Sequence, residues 1–305
     1  MNKNLIRFCK FKSIEKEALA MSITILKKFL TLLPDKLYLK IRFYKRLGKR
    51  LNLKNPKTYN EKLQWLKLYD RNPLYQKMVD KYDVRKYVSD KIGEEYLIPL
   101  IGLYHDFDEI DFKFLPNQFV IKCTHDSGGI VICKDKRQFN LCEAREKIIK
   151  CLKRNYYYQG REYAYKNLHP RIIVEEYMVD ESRNELKDYK FFCFNGIPKS
   201  FSIISGRGEN LRLDSFDVQF NSLPFCYGYR SNDKKIEKPK GLSKMIEVAK
   251  ILSANIPHVR IDLYDVNGKV YFGEITFFSG SGCEKFNPHK YDEIFGSWLE
   301  LPVHN

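Results

Sequence analysis

Two alternating segments, Val259–Tyr264 and Val270–Phe277, flank Asp265-Val266-Asn267-Gly268. Asn-Gly between alternating runs is a strong β-hairpin signal. Arg260 and Asp262 share one face of the first strand, and Glu274 and Thr276 share one face of the second. Side chains alternate along a strand, so register decides whether those faces coincide. A strict two-residue turn at Asn267-Gly268 would put Asp262 and Glu274 on opposite faces. A three-residue loop with Gly268 at the bulge position puts them on the same face, and this is the register we expect. Two adjacent carboxylates repel unless a cation or basic group lies between them. The expectation is therefore a magnesium site facing nucleotide phosphates, with Arg260 beside the transferred group. The plain alternative is a surface hairpin with ordinary polar positions.

The chain has 305 residues, 44% hydrophobic and 30% charged, enough for a substantial core and two or three lobes. Its net charge of +16 is unevenly placed: residues 1–60 hold 16 Lys and Arg against Glu15, Glu17 and Asp35. That end suits a docking element for an anionic membrane or acidic polymer. A basic helical hairpin packed on its own domain fits the same pattern. No recognition helix, zinc finger or RNP-type motif accompanies the basic residues, so nucleic acid is not expected. The eight cysteines form no CxxC pair, and no signal peptide is evident, so a reduced cytoplasmic chain is expected.

Residues 15–48 read as helical and basic, with Lys27-Lys28 and Pro34 keeping any apolar run below spanning length. After Asn55-Pro56, Thr58 and Glu61 form a capping box for a helix through Trp65 and Leu68. A second helix is expected over Lys81–Ile92, ended by Gly93, followed by short strands at Leu97–Leu100 and Leu103-Tyr104. The strand Phe119–Cys123 runs into Thr124-His125-Asp126-Ser127-Gly128-Gly129 and then the strand Ile130–Cys133. Such a loop is either an ordinary hairpin turn or a phosphate lid whose amides cradle oxygens, with Lys122 as a point charge. It is not a Walker A loop. A helix follows over residues 140–154. The strand Arg171–Val174 ends in Glu175-Glu176-Tyr177-Met178, either a ribose and adenine edge or a strand leaving its core for solvent. Lys190, between aromatics in the strand Tyr189–Phe194, needs an anionic partner or a route to water. Asn195-Gly196 turns that strand into Pro198–Ile204, and Leu242–Leu252 is an amphipathic helix feeding the hairpin.

In this order, PKTYNEKLQWLKLYDR, DKYDVRKYV, FVIKCTHDSGG, RIIVEEYM, LKDYKFFCFNG and HVRIDLYDVNGKVYFGEITF resemble the ATP-grasp superfamily. The resemblance is to its teichuronopeptide-biosynthesis (TupA-like) branch and runs from about Asn55 to Gly296. It implies an α+β ATP-grasp fold: two α+β lobes around a nucleotide cleft with a small lid, preceded by the basic helical segment. The boundaries expected are 1–54 for that segment, 55–112 for the N-terminal lobe, 113–174 for the lid subdomain and 175–305 for the catalytic subdomain. By resemblance, Lys122, Ser127, Gly128 and Gly129 hold nucleotide phosphates, and Glu175, Glu176, Tyr177 and Met178 form the adenine and ribose edge. Lys190 faces phosphate or substrate, and Arg260 stabilises the transferred phosphoryl group. Asp262, Glu274 and Thr276 match magnesium ligands. Thr276 stands where many ATP-grasp enzymes have asparagine, and Asp126 stands where glycine is commoner.

The resemblance further implies ATP and Mg2+ as cofactors and amide ligation through an acylphosphate. The implied substrates are an amino acid or small amine and a uronic-acid-containing surface polysaccharide or lipid-linked precursor, in capsule or cell-envelope biosynthesis. Alternatives are an ATP-dependent glycan kinase and a non-catalytic polysaccharide- or membrane-binding scaffold. The expected location is the cytoplasm, peripheral at the inner face of the plasma membrane.

Overall fold

The computed structural model describes residues 30–180, 186–206, 211–232 and 236–303. The chain divides into two units, Met1–Leu51 and Asn52–Asn305. In the first, α1 (Asp35–Leu47) buries Leu39 and Phe43 and ends at Gly48, whose φ of 69° suits a left-handed C-cap. The rest of the expected basic helical region, residues 15–29, lies outside the described residues. Among the described residues no helix is long and apolar enough to cross a membrane.

The second unit opens with α2 (Tyr59–Tyr69), capped as expected. The Glu61 amide donates to Thr58 Oγ1 at 3.3 Å, and the Thr58 amide donates to Glu61 Oε2 at 3.2 Å. Helices α3 (Leu74–Val79) and α4 (Val84–Ile92) follow. The second begins three residues later than its pattern predicts. Asp80 Oδ1 accepts from the amides of Tyr82 and Asp83 at 2.9 and 3.0 Å, and this turn competes with the helix. The two short strands expected beyond Gly93 are one, β1 (Leu100–Tyr104).

A four-stranded antiparallel sheet has the order β1-β4-β2-β3, with β2 (Phe119–Cys123), β3 (Ile130–Cys133) and β4 (Ile172–Glu176). Helix α5 (Leu141–Leu152) packs on β2 and β3, burying Ala144, Ile148 and Cys151 against Phe119 and Ile121. The short α6 (Tyr157–Gly160) lies between α5 and β4 in the chain.

A six-stranded antiparallel sheet follows, in the order β11-β10-β5-β6-β7-β8. Its strands are β5 (Asp188–Phe194), β6 (Ile197–Ser205), β7 (Arg212–Asp217), β8 (Ser222–Leu223), β10 (His258–Val266) and β11 (Lys269–Thr276). The expected Asn195-Gly196 turn joins β5 to β6, with φ of 50° and 78° at its two residues. One face of the sheet, carrying Phe191, Cys193, Ile261 and Leu263, is core with Met245, Val248 and Leu252 of α7 (Leu242–Leu252). The pair β9 (Cys226–Tyr227) and β12 (Phe286–Asn287) is a separate ladder, beside which α8 (Lys290–Trp298) contributes Phe295 to the core. The architecture is α+β, as expected.

Candidate functional site

The β10–β11 hairpin sets the geometry of the site, by a route different from the one expected. Val266 pairs with Lys269, so Asn267-Gly268 is a strict two-residue turn, with φ of 57° and 90°. Asp265 holds it: its Oδ1 accepts from the Gly268 amide and its Oδ2 from the Gly241 amide, both at 2.7 Å. On its own, that turn would put Asp262 opposite Gly273. The register shifts between Asp262 and Leu263, so Leu263 pairs with Phe272 and Asp262 with Glu274. Gly273 is the extra residue of a β-bulge. The expected same-face arrangement is present, but the bulge lies at Gly273 and not at Gly268.

The consequence is a lateral row across five strands: Glu274, Asp262, Lys190, Ser202 and Ser215, each paired with the next. Lys190 finds the anionic partner its position demanded, since its Nζ bonds Asp262 Oδ2 and lies 3.5 Å from Asp188. Arg260 approaches Asp262 along the same strand, donating from Nε at 2.6 Å to one carboxylate oxygen and from Nη2 at 2.8 Å to the other. The same Nη2 reaches Glu274 Oε1 at 3.0 Å and Thr276 Oγ1 at 3.2 Å. The paired acids are thus bridged by the Arg260 guanidinium, while the Lys190 ammonium neutralises Asp262 from its other side. Burial alone would raise the Asp262 carboxyl, but Arg260 and Lys190 outweigh it and hold it below the ordinary carboxylate value. Asp262 is buried, whereas the Glu274 side chain is 37% exposed.

Facing this row is the sheet that carries the expected lid. A cleft of about 490 Å³ is lined by Lys190, Asp262 and Glu274 from one sheet, by Lys122 from the other and by Ser127 from the β2–β3 loop. Glu176, Tyr177 and Met178 line it too, with an apolar wall of Ile98, Val120, Ile132 and Leu186. Eight of the sequence-selected residues therefore meet in one cavity. Arg260 and Thr276 stand behind the two carboxylates. Gly128 and Gly129 complete the loop behind Ser127, where the Gly129 carbonyl accepts from the Cys123 amide at 2.7 Å. Glu175 does not line the cavity itself and pairs with Lys122 at 2.6 Å and Arg85 at 3.2 Å.

Asp126, unfavourable if it faced phosphate, is buried and points elsewhere: it pairs with Arg154 at 3.3 Å and accepts from the Gly128 amide at 2.9 Å. Sequence reasoning missed Lys81 and Arg85, although both lie in the DKYDVRKYV stretch. Lys81 lines the cleft and donates to the Asp126 carbonyl at 2.5 Å, which ties the turn before α4 to the lid loop. On a helix such residues read as solvated charge.

The donor set tests the implied metal. Glu274 and Asp262 offer hard carboxylate oxygens side by side. Magnesium characteristically takes one or two carboxylates and completes its shell with water and substrate phosphates. No group of three or more His, Cys, Asp or Glu side chains placed to hold a metal occurs among the described residues. Glu274, the more exposed of the two, would be the first to hold such an ion, with Asp262, whose oxygens accept from Arg260 and Lys190, beside it; water and substrate, and not an all-protein cage, would supply the rest of the shell.

No curated protein sequence matches the chain. Among solved structures, D-alanine–D-alanine ligase from Bacillus anthracis is similar at 16% identity and a TM-score of 0.39, over 72% of this chain and 59% of that one. The Helicobacter pylori D-alanine–D-alanine ligase gives 15% and 0.43, over 79% of this chain and 69% of that one. The ATP-grasp ligase PsnB, complexed with minimal precursor, Mg and ADP, gives 13% and 0.35, over 72% and 60%. The chain thus spans about 59% of the length of the first of these ligases. The sequence profile described as TupA-like ATPgrasp matches residues 61–300, and the chain belongs to the TupA-like ATP-grasp family.

Proposed function

We propose that the chain is an ATP-dependent carboxylate–amine ligase. In this reading it joins an amino acid or small amine to a uronic-acid-containing surface polysaccharide or its precursor. The observation that carries the reading is the Glu274–Asp262–Lys190 row, brought into one cleft with Lys122 and with the apolar wall around Met178. The polysaccharide substrate rests on the family resemblance.

Adenine would sit against Val120, Ile132, Leu186 and Met178, with the backbone of Glu176–Met178 at its edge. Lys81, Lys122 and Lys190 would meet the phosphates as point charges. Glu274 and Asp262 would hold magnesium, which when bound neutralises phosphate charge and orients the triphosphate. Arg260, already oriented by two carboxylates, would present its charge and its one remaining Nη1 N–H to the transferring phosphoryl group. The substrate carboxylate becomes an acylphosphate, a good leaving group is created, and an amine displaces it.

The test uses 18O-labelled uronic-acid oligosaccharide, ATP, magnesium and a panel of amino acids. Ligation through an acylphosphate releases ADP and phosphate carrying one 18O, with phosphate appearing only when the carboxylate is supplied. A kinase would leave its phosphate on the glycan, and a scaffold would make neither product. Unlabelled phosphate during confirmed amide formation would reject the mechanism.

A further inference from the structure

Arg260 has two sides. One meets Asp262 and Glu274 at the cleft. On the other, Nη1 donates to Ser279 Oγ at 3.2 Å, and Ser279 in turn donates to Glu284 Oε1 at 3.1 Å. Ser279 is fully buried, while Glu284 is only partly so. Asn60 fixes the Glu284 backbone, accepting from its amide at 2.8 Å and donating to its carbonyl at 2.9 Å. The carboxylate is thus held from both ends, by Asn60 through the main chain and by Ser279 through the side chain.

Tyr227 closes the same region. It lies opposite Phe286 in the β9–β12 ladder, and its ring packs edge-on against Phe192, the residue paired with Arg260 on β5. Its hydroxyl is buried beside the Ser202 side chain, with Arg260, Glu284 and Asp262 as its charged neighbours.

We propose that Glu284, Ser279, Tyr227 and the far side of Arg260 form the subsite for the amine, and that Glu284 takes the proton the amine loses as it attacks. This rests on the ligase reading. The nitrogen of a neutral amine forms a C–N bond to the acyl carbon. The acyl C–O bond to phosphate breaks, its electrons leave with the phosphate, and one N–H proton passes to the Glu284 carboxylate. Burial raises the Glu284 carboxyl above its ordinary value against the opposing effects of Ser279 and Arg260, which moves it toward the range useful to a base. The titratable and charged groups facing it are Arg260, Tyr59 and Tyr227.

The experiment supplies ATP, magnesium and oligoglucuronate to the full chain, with either hydroxylamine or a panel of amino acids. Hydroxylamine is largely unprotonated at neutral pH and traps an acylphosphate without help from a base. Glu284→Gln should lower amide formation about 100-fold while hydroxamate formation falls less than about threefold. Ser279→Ala should shift the same ratio in the same direction, which covers the case of a poorly folding Glu284 variant. The amide rate of the unmodified chain should rise with ionisation of one group, and that limb should vanish in Glu284→Gln. Hydroxamate from the unmodified chain with normal amide formation by Glu284→Gln would overturn the subsite alone. Equal loss of both products would overturn the base assignment. No hydroxamate from the unmodified chain would reject the ligase reading and the subsite with it.

Discussion

A methyl group on Gly273 would lie 2.9 Å from the carbonyl oxygen of Asp262, closer than real Cβ atoms approach, and 3.0 Å from the Tyr264 ring. The bulge that places Asp262 opposite Glu274 therefore depends on a missing side chain. Gly273→Ala should cost about 1–3 kcal/mol by forcing backbone movement and should lower turnover more than tenfold. Thermal melts and steady-state rates of the variant check both. An unchanged rate would mean that the acid pair need not be in register.

The two acids differ in surroundings, so their substitution should separate stability from activity. Asp262→Asn leaves buried Arg260 and Lys190 short of a partner and should destabilise by about 3 kcal/mol. Glu274→Gln touches a partly exposed pair and should cost less than about 1 kcal/mol. Both should lose most magnesium-dependent turnover. Denaturant unfolding alongside activity provides the comparison.

Acid lability should carry the signature of buried histidines, His258 foremost and His125, whose pKa burial also lowers, in the same direction. His258 Nε2 faces Tyr59 Oη at 2.9 Å, and Nδ1 faces the Cys193 carbonyl at 3.0 Å. Burial pushes the His258 pKa from 6.5 down to about 3. Above the unfolded value both states are neutral, and the histidine makes no pH-dependent contribution. As pH falls from 7 to 5, only the unfolded chain takes up the proton, so stability drops by about 2 kcal/mol. The Asp262 carboxylate, held low, adds its loss only further into acid. Unfolding free energies at pH 7 and pH 5 should show this drop, and His258→Gln should reduce it.

Much of this hairpin was legible because its signals are local. Asn267-Gly268 fixes a turn, alternation fixes two strands, and Thr58 with Glu61 fixes a helix start in the same way. The bulge was harder: one extra residue at Gly268 or at Gly273 gives Asp262 and Glu274 the same register, so a correct face could be reached from an incorrect loop. A glycine inside a strand was the available clue. Glu284, Ser279 and Lys81 were not legible at all. Their roles arise from contacts across more than one element, such as Asn60 to Glu284, for which sequence spacing holds no signal.

Lys122 bonds Glu175 at 2.6 Å, and Arg85 supports the same carboxylate. Lys122→Ala should weaken ATP binding about tenfold or more, the scale of one charged hydrogen bond, and should also lower the melting temperature, because the buried Glu175 keeps only Arg85 as partner. Glu175→Gln should weaken it less, because that side chain orients the lysine and does not line the cleft. Titration calorimetry with ATP and magnesium distinguishes the two.

The concentration of basic residues before Glu61 gives a salt-dependent expectation. The full chain should cosediment with anionic vesicles at low ionic strength and release in salt, as screening removes attraction between surface charges. A chain beginning at Asn52, the start of the second unit, should bind vesicles weakly under both conditions and retain ATP binding. Equal vesicle binding by both would place the contact elsewhere.

Helix α2 grips the segment 281–284 mostly by its main chain. Gln64 donates to the carbonyls of Ser281 and Gly282 at 3.0 and 2.6 Å, Lys67 to the Ser281 carbonyl at 2.8 Å, and Asn60 to both backbone groups of Glu284. Apart from Gly282, where φ is 61° and a Cβ would meet Gln64, a path secured through amides and carbonyls does not depend on which side chains it carries. Over evolutionary time, positions such as Cys283, Glu284 and Lys285 can be exchanged without redrawing the segment, so descendants of one scaffold could diverge in the acceptors they take while inheriting the same shape.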